Sequence, residues 1–126
     1  MAAGDIVSMS IGEVLRWQWQ GYARYHRARV NLVLHIIVVP VFLLGNATLV
    51  AALLHRSWLA AGSGALAMVA SMAAQGAGHR QEPTPPEPFK GPRDAIVRIF
   101  CEQWITFPRF VVTGGWLQAW RHASGT

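Results

Sequence analysis

The sequence predicts an all-α integral membrane protein, a helical bundle built around a central transmembrane hairpin with an amphipathic helix before it. Three observations predict it. Hydrophobic residues make up 52% of the 126 and charged residues only 13%, about half the share of roughly 25% in soluble domains. Two uncharged runs, residues 36–54 and 57–78, hold 19 and 22 residues, each close to what a bilayer core needs. The cations are distributed unevenly. Arg16, Arg24, Arg27 and Arg29 precede the two runs, Arg80, Lys90, Arg93 and Arg98 follow them, and only Arg56 lies at the turn between. The positive-inside rule places both hairpin ends in the cytoplasm and the turn outside.

The same arithmetic excludes other classes. A chain this apolar is not disordered, and its length suits a single domain, 1–126. One cysteine, Cys101, rules out an intrachain disulfide framework and a thiolate zinc site. The net charge of +5 comes from ten Arg and one Lys against six acids. With no nucleic-acid-binding module in view, it points to membrane lipid and not to nucleic acid.

Residues 1–9 lack a basic n-region and carry Asp5, so a secretory signal peptide is not expected there. Ser10-Ile11-Gly12-Glu13 fits a capping box. Ile11, Leu15, Trp19, Tyr22 and His26 follow at steps of four, four, three and four, on one helical face. This predicts an amphipathic helix over 10–27. Asn31 is a candidate N-cap for the next helix, 31–54, with a bend over 27–30. Pro40 is expected to kink that helix. Residues 57–79 form its partner, rich in Gly, Ala and Ser, which allow close helix approach and suit a homo-oligomer as well as a hairpin. Five prolines between Pro83 and Pro92 make 80–92 a loop. The last segment, 93–120, has Ile96, Ile99, Phe100 and Trp104 at helical spacing. Glu102, Arg109, Pro108 and Gly114-Gly115 make it a poorer span. One tilted span, two half-helices or an interfacial cover all fit, giving two clear spans and room for up to four. Tryptophans near the proposed helix ends fit aromatic belts.

The polar groups inside this apolar chain need a reason. Asn31 and His35 share a helical face, as do Gln75, His79 and Glu82 if the helix runs on to the proline. The hairpin returns the chain, so these two sets and His26 reach the same membrane side. His26 and His35 are nine residues apart, about 900° of continuous helix, hence on opposite faces unless the chain breaks between them. Imidazoles with a carboxylate suit Fe(II), Zn(II) or Mn(II), and open-sided sites of this kind suit non-haem iron oxygen chemistry. Asn31 and Gln75 could orient the ligands. A single histidine at a membrane boundary is more often an interfacial polar residue; ionisable groups clustered in membrane segments are usually functional. His55 at the turn, His122 in the tail and Cys101 are weaker candidates, and Arg24, Arg27, Arg29 and Arg80 could hold a lipid carboxylate or phosphate.

His26-x4-Asn31-x3-His35-x4-Pro40, a hydrophobic hairpin, and Gln75-x2-Gly78-His79-x2-Glu82-x-Pro together resemble the 2-hydroxy fatty acid dioxygenase family of small integral membrane proteins over residues 20–120. The resemblance implies Fe2+-dependent α-oxidation, in which a 2-hydroxy fatty acid and O2 give CO2 and an acid one carbon shorter. It implies His26, His35 and His79 as iron ligands and Glu82 as a fourth ligand or nearby acid, with Asn31 and Gln75 orienting the imidazoles. Iron would bind the 2-hydroxy carboxylate; if it does not, Arg27 or Arg80 is the candidate to hold it. It also implies an inner membrane of bacterial type or the endoplasmic reticulum. Val38 replaces a frequent glycine, and Pro83-Thr84-Pro85-Pro86 departs from the family's usual sequence after the Glu. The alternatives are a haem or other metal protein, or a non-enzymatic oligomerisation module.

Overall fold

The computed structural model describes residues 9–123, so the expectation for residues 1–9 lies almost wholly outside it. Among the described residues the chain is helical and contains no strand. The capping box forms: Ser10 Oγ accepts from the Glu13 amide, and the Glu13 carboxylate accepts from the Ser10 amide. This starts α1, Ile11–Gly21. The helix is shorter than its apolar stripe suggests, because Tyr22–Tyr25 tighten into a 3₁₀ turn and His26 leaves the helical region altogether. The chain is therefore broken between His26 and the next helix.

That helix, α2, spans Arg29–Leu54 and begins two residues before the expected start at Asn31. Ala28, which has no capping side chain, precedes it. The Arg27 and Ala28 amides donate instead to the Glu82 carboxylate, at 2.7 and 3.0 Å. An acid just past the end of the next helix thus holds the two amides that lead into α2. Pro40 lies inside α2, and the helix continues through it.

Three residues, with Arg56 at φ 56°, reverse the chain into α3, Trp58–His79. The two helices run antiparallel and touch along their length. A Cβ on Gly45 would lie 2.8 Å from the Gly64 carbonyl oxygen, and one on Gly64 would lie 2.6 Å from that of Gly45. Further along, Ser71 Oγ donates to the Val38 carbonyl at 2.6 Å. The small residues at Gly64 and Ser71 are thus spent on contact within the chain.

Both helices are long and apolar enough to cross a membrane, with mean hydropathies of 2.4 and 1.2, and only 22% of each apolar window is buried in the protein. Leu44, Leu59, Leu66 and Val69 all point outward.

The remainder closes over one end of this pair. Arg98, buried, donates to the carbonyls of Glu87 and Pro88 and to Asp94, pinning the proline-rich loop. Its helix, α4, spans Pro92–Cys101. One π-helical turn, Glu102–Thr106, leads into α5, Phe107–Val112. Pro108 has no amide to give Trp104, four residues back, which fits a loosened turn at this point. Gly114, at φ 84°, ends this run and starts α6, Gly115–His122. His122 is part of that helix, bonded to the Gln118 carbonyl, and not of a loose tail. Trp116 Nε1 ties α6 to the Leu32 carbonyl. Tyr22, Leu32, Val39, Phe107 and Phe110 form the core between these layers.

Candidate metal centre

Four side chains from four parts of the chain meet under this cover. His26 comes from the broken stretch before α2, His35 from the second turn of α2, His79 from the last residue of α3, and Glu102 from the start of the π turn. The ring centroids of the three histidines are 4.9 to 5.0 Å apart, each pair close to perpendicular. Glu102 Oε2 lies 3.7 Å from His26 Nε2 and 4.0 Å from His35 Nε2. One ligand atom from each of the four falls within 4.8 Å of all the others.

Backbone carbonyls aim the rings. The Tyr22 carbonyl lies 2.8 Å from His26 Nδ1, and the Asn31 carbonyl 3.0 Å from His35 Nδ1. Each places its proton on Nδ1 and leaves a lone pair on Nε2. His26 Nε2, His35 Nε2 and His79 Nδ1 are buried and have no hydrogen-bond partner. An orphaned buried polar atom costs about 1–3 kcal/mol, so three pointing at one spot need a shared partner. The group could hold a metal ion, which would serve as that partner. Two donors about 2.1 Å from one ion are at most about 4.2 Å apart; the two Glu102–histidine distances lie inside this limit, and the group as a whole, within 4.8 Å, would have to draw in slightly around an ion. Burial holds the His26 imidazole well below its ordinary range, hence neutral, the state a metal requires. Burial also pushes Glu102 up, while the Tyr22 phenol, donating to Oε2 at 2.7 Å, pulls it back.

The other expected residues are placed differently. Glu82 is not in the group. The helix ends at His79, so Glu82 turns away on the following bend, where it accepts from the amides of Arg27 and Ala28 and from Asn31 Nδ2 at 2.8 Å. Asn31 orients His35 through its backbone, while its side chain serves Glu82. Gln75 makes no hydrogen bond to the imidazoles. It forms a reciprocal amide pair with Gln103, both bonds 2.9 Å. That pair holds the π turn on α3 beside Glu102.

A cavity of about 810 Å³ opens onto His26, His79 and Glu102. Met72, Ile99 and Phe89 give it apolar walls, and Arg24 and Arg80 also line it. Arg27 lies instead on a second hollow of about 470 Å³, with Pro83, Phe110 and His122.

No known protein family, characterised protein or solved structure matches the chain.

Glu102, which completes the cluster, and Tyr22, which donates to it, are not among the candidates that the sequence offers. A signal for Glu102 existed: it is the one acidic side chain after Asp94, and a lone acid in so apolar a chain needs a reason as much as the histidines do.

Proposed function

We propose that the chain is an integral membrane Fe(II) dioxygenase acting on 2-hydroxy fatty acids. The observation that carries the metal is the convergence of three orphaned imidazole nitrogens and a carboxylate beside a cavity that His26, His79 and Glu102 line. The substrate class rests on the family resemblance, and a cavity with apolar walls and arginines Arg24, Arg80 and Arg98 in its lining is compatible with it. The outward-facing apolar surface of α2 and α3 supports a transmembrane hairpin, and the arginine distribution supports a cytoplasmic location for the site.

His26, His35, His79 and Glu102 would hold Fe(II). The ion would supply the electron exchange that lets O2 cleave the C1–C2 bond of a 2-hydroxy acid. The overall change balances as RCH(OH)COOH + O2 → RCOOH + CO2 + H2O. Around that centre the chain's own groups have simpler tasks. Arg24 and Arg80 attract the carboxylate, and Met72, Ile99 and Phe89 receive the first part of the acyl chain. The pinned proline-rich loop helps wall off the cavity from bulk water. Arg27, on the other hollow, is not assigned to the carboxylate. A haem is disfavoured, because three rings about 5 Å apart close around one ion and leave no gap for a porphyrin plane.

The test is elemental analysis of the protein purified anaerobically in detergent, followed by oxygen uptake with 2-hydroxy fatty acids. About one iron per chain and substrate-dependent uptake are expected. His79→Ala should lose both. Normal iron content in that variant overturns the site, iron without uptake overturns the substrate, and a Soret band would restore the haem reading.

A further inference from the structure

Tyr22 touches two of the four members of the metal group in three separate ways. Its phenol donates to Glu102 Oε2 at 2.7 Å. Its ring stacks on the His26 ring, centroids 4.0 Å apart and planes 19° from parallel. Its carbonyl takes the His26 Nδ1 proton at 2.8 Å. The 3₁₀ turn makes this combination available. It puts the Tyr22 carbonyl below His26 while the tyrosine side chain, buried against Phe110, projects across to the π turn. Tyr25, three residues on, makes none of these contacts.

From this we infer that Tyr22 is a positioning residue for the metal, acting through Glu102. Without the phenol, nothing else in the described structure donates to the Glu102 carboxylate. The side chain could then swing out of the group into the cavity that it lines. With the phenol, Oε2 is held on the side facing His26 and His35. A hydrogen bond to a ligating oxygen also draws off part of its charge, which softens the carboxylate as a donor and changes the electronic environment of the metal.

The inference rests on the proposed metal site, so the experiment separates the two. Co(II) is titrated into the detergent-solubilised full chain, and its visible absorption reports both affinity and ligand field. Tyr22→Phe keeps the stacked ring and the backbone carbonyl and removes only the hydroxyl. The loss expected on removing such an outer partner is about 10- to 100-fold in affinity, with a displaced Co(II) spectrum. Tyr25→Phe should match the wild type in both. In a Glu102→Ala background, Tyr22→Phe should cost nothing further, since the hydroxyl works through that carboxylate. A packing role alone would leave the spectrum and affinity of Tyr22→Phe unchanged, and that result overturns the inference while leaving the site intact. An undiminished effect in the Glu102→Ala background also overturns it. If the wild-type chain binds no Co(II), the site and the inference fall together.

Discussion

The two ends of the α2–α3 pair are held together by different means. Towards the turn end the helices meet through Gly45 and Gly64, backbone against backbone. At the open end polar groups take over: Glu82 accepts N–H donors from Arg27 and Ala28, just before α2, and from Asn31 inside it, while Gln75 and Gln103 exchange amide bonds that tie α3 to the π turn. The first arrangement gains dispersion at close range and asks nothing of a ligand. The second places unpaired imidazoles beside a carboxylate, a group that could take an ion. The difference teaches that stability and metal binding should be coupled at one end of the molecule and independent at the other.

Glu82 offers the strongest test of that difference. Glu82→Gln keeps the size but presents an amide donor where three donors already converge. With a charged acceptor lost from a buried site, about 3 kcal/mol of stability should go. The loss should appear in detergent unfolding, and the surviving folded fraction should also bind Co(II) more weakly, because His26 and His79 hang on the segments that Glu82 ties. Unchanged affinity would show that the polar end holds the fold without setting the site.

The matching test at the turn end is Gly64→Val. A side chain there meets the Gly45 carbonyl at 2.6 Å and the Leu49 amide nitrogen at 2.8 Å, both backbone atoms that cannot rotate away. Forcing the helices apart should cost about 2–3 kcal/mol, again read by unfolding. Here metal affinity should stay at the wild-type value. A parallel fall in affinity would erase the contrast between the two ends.

Much of this arrangement is legible in the sequence, and the parts that are not share a cause. The capping box at Ser10, the two apolar helices and the break between His26 and His35 follow from local chemistry, which a short window contains. Glu82 was placed with His79 and Gln75 by carrying helical spacing past the end of the helix; the chain has already turned there, with the Glu82 amide on the His79 carbonyl. Asn31 looked like a cap because it stands before an apolar run, yet the amides before α2 are satisfied by an acid 54 residues away, which no local pattern encodes. Glu102 and Gln103 sit in a π turn, whose wider loop breaks the 3.6-residue period used to assign faces. Their arrival at the histidines depends on how residues 92–112 fold over the pair, a tertiary event.

The amide pair offers the finest comparison, because it separates what polar groups contribute from what they cost. Gln103 is fully buried, and its side chain is occupied wholly by Gln75, which also donates to Ser71 Oγ. Gln103→Leu should therefore lose about 1–2 kcal/mol, less for the missing bonds than for the Gln75 carbonyl left without a donor. The double variant, Gln75→Leu with Gln103→Leu, removes both sides at once and should recover most of that loss. Metal affinity should behave differently. If the pair fixes where Glu102 begins the π turn, the double variant regains stability but still binds Co(II) less tightly than the wild type, by a few-fold. Recovery of both would make the pair a packing device only; recovery of stability alone would make it part of the metal site's support, at the same end of the molecule and by the same logic as Glu82.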